Sequence, residues 1–420
     1  MHNSLLRVKK IKTIISKIDL MRAFSLVGII GILCLVSSCS KDDGDIENQS
    51  AASGVEIGGV SGYSSYYEEN TLQTRAGGIT ESYGLTRAWE APTGYVAYDG
   101  GDQPIGVCFT QKTVPPQEPV IPKIGSLFKS SDKWRANVEL TGGDYYLYGY
   151  IPHLTVIKCG ITDSDGNNAK YDEGAILSLR DVPSVMPNDL CVVIGAKHGT
   201  DKEHDSGLRR GDFAYTAEAI SNEEGHESGT GNFVFLLFDH LYSALRVNFR
   251  VQGNYNDLRT IKLKSLKLKT QVGGTVTKDK TDITIKLKAN DGSASPIEEI
   301  TYTPSLSGVE NSDGIEFWSS ASVSDEERTL TSAYKPFTGH FMPNGITTLI
   351  LTSKYDVYDR NGNLIREDCE ATNTMVLNEL LTEQTETRRG CRYTINMTIE
   401  PTYLYVMSEP DLDNPTVTIN

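Results

Sequence analysis

Short spans of alternating or continuously apolar residues, broken by turn-forming clusters, make up most of this chain. In the first half they are GYVAY (94–98), IGVCFT (105–110), WRANVEL (134–140), YYLYGYI (145–151) and LCVVIG (190–195). Asp99-Gly100-Gly101, the proline-rich TVPPQEPVIP (113–122) and Thr141-Gly142-Gly143-Asp144 separate them. Strand-length runs at such spacing, with Gly, Pro and Asp between, predict a β-sandwich. No window beyond residue 38 has the periodicity of an amphipathic helix of four turns. A polar loop from His198 to about Gly231 closes this half.

FVFLLFDHLYSALRVNFRV (233–251) follows. Its first part suits a strand buried on both faces, RVNFRV alternates with period two, and the stretch reads as the start of a second core. In IKLKSLKLK (261–269) the apolar phase shifts at Ser265, as a β-bulge would require. DITIKLK (282–288) puts Ile283, Ile285 and Leu287 on one face. TTLILTSKYDVYD (347–359) and NLIRED (363–368) flank Asn361-Gly362, which predicts a hairpin with a type I′ turn. YTINMTIE (393–400) sets Tyr393, Ile395, Met397 and Ile399 inward, with Thr394, Asn396, Thr398 and Glu400 outward. The expected fold class is all-β, with two tandem β-sandwich domains at 76–231 and 232–420.

The apolar pattern differs at the N-terminus. Arg22 precedes an apolar run from Phe24 to Val36, and Ser37-Ser38 leads into Cys39. A basic n-region, a short apolar h-region and small residues at the cleavage point form a secretory signal, and the run falls well short of the ~20 residues of a spanning helix. With Cys39 directly after Val36-Ser37-Ser38, it resembles the lipobox of bacterial lipoproteins, which implies cleavage after residue 38 and acylation of Cys39. Lys41, Asp42 and Asp43 look like the export signal of Bacteroidetes surface lipoproteins. Residues 39–75 read as an acylated tether and pro-segment, with only Val55, Ile57 and Val60 as a faint apolar cluster. Two Arg-Ala bonds, at Arg75 and Arg87, lie between this tether and the first firm strand, where an exposed protease site is expected.

Removing residues 1–38 takes six of 40 basic and one of 55 acidic residues, leaving 34 against 54 and a formal net charge of −20. That balance opposes nucleic-acid binding. Cys108, Cys159, Cys191, Cys369 and Cys391 show no metal spacing and no disulfide framework, so buried free thiols are expected, with a Cys369–Cys391 pair as the alternative.

No catalytic signature is present: no GxSxG, HExxH, GxxxxGK[ST] or post-strand GxGxxG. Ser130-Ser131-Asp132-Lys133 matches SxxK without its partner motifs. His198 and His204, among Asp201, Glu203 and Asp205, lack the offsets that align metal ligands on one face, and read as a solvated loop. Asp163-Ser164-Asp165-Gly166-Asn167-Asn168 has its Gly at the fourth position where a calcium loop needs the sixth, and reads as a hairpin turn. Tyr145, Tyr146, Tyr148 and Tyr150 alternate across a strand, so they form either cross-strand pairs or a partly exposed sugar-stacking surface. The expectation is a non-enzyme without catalytic residues, cofactor or metal.

TRAWEAPTGYVAYDG, IGVCFTQ, GGDYYLYGYIP, FDHLYSALRVNFRV and YTINMTIEPTYLYVMSEPDLDNPTV together resemble the Bacteroidetes fimbrillin-like lipoproteins, subunits of type V pili and their relatives. The segments span nearly the whole mature chain. The resemblance implies two sandwiches of transthyretin-like topology and an outer-membrane lipid anchor at the cell surface. It also implies removal of an N-terminal strand by an Arg-specific protease, followed by strand donation between fimbrial subunits into a homo- or hetero-polymer. A host or bacterial surface ligand is the further implied partner. The rival reading is a surface glycan-binding lipoprotein that uses exposed tyrosines.

Overall fold

In a computed structural model, residues 56–62, 68–72, 104–112, 121–130, 133–138, 140, 142–168, 170–199, 208–217, 233–289, 295–381 and 384–399 are described. Among the described residues, twenty-one strands run in chain order. They are β1 (Glu56–Gly62), β2 (Glu68–Leu72), β3 (Ile105–Gln111), β4 (Lys123–Ser130), β5 (Lys133–Ala136), β6 (Gly143–Ile151) and β7 (Lys158–Asp163). Next come β8 (Gly174–Pro183), β9 (Cys191–Gly199), β10 (Ala214–Ala217), β11 (Phe233–His240), β12 (Ser243–Val251), β13 (Thr260–Val272) and β14 (Thr275–Val276). The last are β15 (Lys280–Lys288), β16 (Ile297–Pro304), β17 (Ile315–Ser319), β18 (Lys335–Met342), β19 (Thr348–Tyr358), β20 (Leu364–Val376) and β21 (Cys391–Ile399). Among the described residues helix is confined to single turns such as Asp325–Arg328, and the chain is all-β.

The strands form four sheets. The largest has the order β1-β11-β9-β6-β3-β4-β5, with β10 added to β6. One face of it packs through Cys108, Tyr148, Tyr150, Val192 and Ile194 against Leu177, Leu179, Ile283, Ile285 and Leu287 of the sheet β16-β15-β8-β7. Its other face gathers Val107, Phe109, Tyr145, Leu147, Val193, Val234 and Leu236 into a second core, and β5 comes round close to β1. A third core lies between the sheet β18-β12-β21-β2 and the five-stranded sheet β14-β13-β19-β20, where β17 joins β13.

This layering explains where the alternation patterns hold and where they fail. β13 and β15 each have one face on a core, and Ile283, Ile285 and Leu287 are buried as their period-two spacing predicts. The phase shift at Ser265 is a bulge: Leu263 pairs with Tyr355 and Ser265 with Lys354, leaving Lys264 unopposed. β21 departs from expectation. It lies between β12 and β2, parallel to both, and Thr394 and Asn396 are as buried as Tyr393 and Ile395. The Asn248 amide donates to Asn396 Oδ1 at 2.8 Å across the parallel pair, so the outward face of β21 is covered by protein rather than water.

The stretch 233–251 serves two sheets. β11 is antiparallel to β9 in the largest sheet, and the chain changes sheet at Leu241-Tyr242 before β12. β15 pairs with β8, which draws strands from either side of residue 231 into one ladder. The segment read as a polar loop after His198 is more ordered than expected. β9 continues through Gly199, and β10 pairs with β6, burying Phe213 and Tyr215. The segment read as a bare tether likewise contains β1 and β2.

The hairpin at Asn361-Gly362 is present with a different turn. Gly362 has φ +81°, whereas Asn361 is not left-handed, so the pair does not form type I′. Gly362 N–H donates to Asp359 O at 3.2 Å and Asp359 N–H to Asn363 O at 2.9 Å, a three-residue loop closed by a left-handed glycine.

Candidate assembly site

Cys39, Lys41, Asp42, Asp43, Arg75 and Arg87 lie outside the described residues, as does His204. The two strands just upstream of Arg75 are described. β1 runs parallel to β11, from Glu56 opposite Phe233 to Gly62 opposite Phe238, with one irregularity at Gly58. β2 runs parallel to β21, from Glu68 opposite Cys391 to Leu72 opposite Ile395. Both are edge strands, and each covers a strand rich in buried apolar residues. β11 contributes Val234, Phe235, Leu236 and Phe238, and β21 contributes Tyr393, Ile395 and Met397, all buried.

The covering strands are poor in apolar residues. β1 reads EIGGVSG and β2 reads EENTL, two aliphatic residues in one and one in the other. Each apolar side chain fully buried contributes about 1.5–3 kcal/mol, and by composition these two segments have only three such side chains to offer beside their ladder pairing. Glycines in β1 weaken it further. The arrangement is a pair of strands poor in apolar residues, each paired along a strand rich in buried apolar residues.

The other candidate chemistry resolves as follows. Tyr145, Tyr148 and Tyr150 are buried, because β6 has a core on each face. Tyr148 donates its hydroxyl to Tyr171 O at 2.9 Å, and Tyr150 Oη lies 2.8 Å from His153 Nδ1. Tyr146 is half-buried beneath the Lys112 ammonium. The tyrosine surface required for sugar stacking is therefore absent from this strand. His198 lies in β9 with its ring edge-on to Tyr215 at 5.6 Å, not in the solvated loop that the sequence suggested. Ser130 and Lys133 of the SxxK sequence are opposed across the β4–β5 turn. Asp163 Oδ1 accepts from the Asp165 and Asn167 amides at 3.1 and 2.6 Å, and Oδ2 from the Lys170 amide at 3.2 Å. Its carboxylate is engaged in closing a turn.

One group that sequence reading missed brings metal-ligating atoms together among the described residues: Asp189, Cys191 and His240, all buried. His240 stands opposite Cys191 in the β9–β11 ladder, a juxtaposition that sequence spacing of 49 residues does not reveal. Asp189 Oδ2 lies 2.7 Å and Cys191 Sγ 3.7 Å from the same nitrogen, His240 Nδ1. A Cys-His-Asp relay needs the thiol and the carboxylate on different ring nitrogens, so this group is not a nucleophile assembly. Burial, with the nearby Asp189 and Asp239 charges, raises the Cys191 thiol well above its ordinary range. The three side chains could hold a soft divalent ion; as they stand they make a buried Asp–His contact beside the Asp239–Arg389 ion pair of 2.9 Å. A cleft of about 420 Å³ is lined by Ser184, Thr277, Lys278, Tyr302 and Asn344. Within it the Tyr302 hydroxyl donates to Leu241 O and the Lys278 ammonium to Ser305 O, so both polar groups are turned toward the protein.

No protein-family model matches the chain, and no curated protein matches it. Solved structures do show similarity. A fimbrial protein from Bacteroides vulgatus aligns at 15% identity and a TM-score of 0.29, over 70% of this chain and 88% of that one. The fimbrial anchor protein Mfa2 from Porphyromonas gingivalis aligns at 11% identity and a TM-score of 0.24, over 74% of this chain and 86% of its own. The structural neighbours of this all-β chain thus include fimbrial proteins of the Bacteroidetes.

Proposed function

We propose that the chain is a surface-exposed, fimbrillin-like lipoprotein, a structural or adhesive pilus subunit without enzymatic activity. Acylated at Cys39 and exported under the Lys41-Asp42-Asp43 signal, it is held in the outer membrane until cleavage after Arg75 or Arg87. The fold we assign is a pair of β-sandwich units of transthyretin-like type that meet at the sheet shared by β8 and β15. The observation that carries this reading is the order along the chain: leader, acylation site, two edge strands poor in apolar residues, then an Arg-Ala bond.

Cleavage after Arg75 frees β1 and β2 from the rest of the chain. Their loss leaves the main-chain donors and acceptors of β11 and β21 unpaired along edges whose side chains are apolar. A strand donated by a second subunit restores both the hydrogen bonds and the burial. Because donor and acceptor are different surfaces, the contact propagates head to tail.

The test treats the mature chain with an Arg-specific protease and follows polymers on native gels for wild type, Arg75→Ala, Arg87→Ala and the double variant. Polymers are expected only from chains that retain a cleavable bond. Equal polymer from the uncleavable double variant rejects assembly by strand removal. The glycan-binding alternative lacks a stacking surface on β6, and among the described residues no other feature favours it.

A further inference from the structure

Cys108 on β3 and Cys159 on β7 belong to different sheets, on opposite sides of the core between the largest sheet and β16-β15-β8-β7. They are 51 residues apart in sequence, yet their sulfurs stand 3.4 Å apart. That is inside van der Waals contact, about 1.4 Å longer than an S–S bond of about 2.0 Å. Both strands are firmly held. β3 pairs on both sides, with β4 and β6, and β7 pairs along its length with β8 from Lys158 opposite Arg180 to Asp163 opposite Ala175. The thiols are therefore delivered to one point by the fold and not by a mobile loop. Cys108 is fully buried among apolar and aromatic groups, whereas Cys159, on the edge strand, is half-buried and within reach of a reagent.

We propose that Cys108 and Cys159 form a disulfide, a covalent staple between two sheets that is installed by a disulfide-bearing oxidant as the exported chain folds. The Cys159 thiolate attacks the oxidant's disulfide, forming a mixed disulfide and expelling one thiolate. Before the core closes over it, Cys108 loses its proton to solvent and attacks the Cys159 sulfur, expelling the second thiolate. Two protein thiols are oxidised, the oxidant's disulfide is reduced to two thiols, and the S–S bond is the only new bond in the protein. Only the cellular setting of this inference rests on the proposed export; the pairing rests on the geometry alone. Cys191 stands beside His240 in the other core and cannot compete for either partner.

The full mature chain is equilibrated in a buffer of about 1 mM each of reduced and oxidised glutathione, denatured, alkylated, digested without reductant and mapped by mass spectrometry. A single peptide pair joining Cys108 to Cys159, two hydrogen masses lighter than the separate peptides and released by dithiothreitol, is the expected result. Dithiothreitol should lower the melting temperature of the wild type, and Cys108→Ser or Cys159→Ser should abolish both the cross-link and that sensitivity. Full alkylation of both cysteines after equilibration overturns the proposal, as does a cross-link between any other pair. Where a serine variant fails to fold, the wild-type peptide map decides. A chain that oxidises in this way yet never polymerises after cleavage would refute the pilus reading and leave the disulfide standing.

Discussion

Asp163 and Asp359 begin two turns of the same construction, DSDGN and DRNGN. In each, the glycine is left-handed, with φ +84° at Gly166 and +81° at Gly362. In each the Asp carboxylate accepts from the amides two and four residues on; for Asp359 these are Asn361 and Asn363, both at 2.8 Å. Replacing Gly362 with Val forces a β-branched residue into φ > 0 and should cost about 1 kcal/mol or more; a shifted urea midpoint would report it. The hydrogen bonds from Asn363 and Asn361 hold the Asp359 carboxyl below its usual pKa. Its folded-state pKa is depressed, so its stabilisation is present above the ordinary carboxylate pKa and fades as pH falls through the lowered value. The melting temperature of Asp359→Asn should therefore drop less than that of wild type as pH falls from neutrality to the acid range.

Strand pairing explains why particular substitutions should matter beyond their own turns. Gly149 on β6 stands opposite Val107, and a Cβ there would collide with the carbonyl oxygen of Gly106. This is a backbone approach that only glycine permits, and Gly149→Ala should destabilise by about 1–3 kcal/mol in a denaturant titration. Asn248 and Asn396 bridge the parallel strands β12 and β21 inside protein. Asn248→Leu should cost about 1–3 kcal/mol by removing the donor to a buried acceptor. Bulges also line up across strands: Lys264 on β13 reaches Asp368 on β20 at 2.7 Å, and Asp368 N–H donates to Asp356 on β19 at 3.0 Å. The non-glycine φ of +54° at Asp368 belongs to this row.

Over the molecule as a whole, the β8–β15 ladder ties the two halves of the chain together. Expressing residues 232–420 alone would leave β15 paired with β16 but strip it of β8, and would uncover Ile283, Ile285 and Leu287. That fragment is expected to aggregate or remain unfolded, and calorimetry of the mature chain should show one main transition; two well-separated transitions would argue against this coupling. Detachment of β1 and β2 should be comparatively undemanding, because they lie at sheet edges and bring few apolar residues. Hydrogen exchange should find the amides of β1 and β2 less protected than those of β9 and β12.

Local pattern determined much of this protein. Period-two spacing at Ile283, Ile285 and Leu287, the phase shift at Ser265 and the Asn361-Gly362 hairpin were legible because one-faced strands, bulges and turns leave their signal within a few residues. The proposed leader and acylation site at Cys39 rest on the same kind of local signal, which is carried by linear sequence. Only the tertiary structure decided which strands have two buried faces. Thr394, Asn396 and Tyr148 look half-exposed by alternation, yet a sheet or core covers the second side. It also decided the partners of β1 and β2, whose few apolar residues give no strand signal and whose parallel neighbours lie far along the chain. The meeting of Cys108 with Cys159, and of Asp189 and Cys191 with His240, was out of reach of spacing for a physical reason: ladder register and sheet stacking set those contacts, and neither is written within the span of a motif.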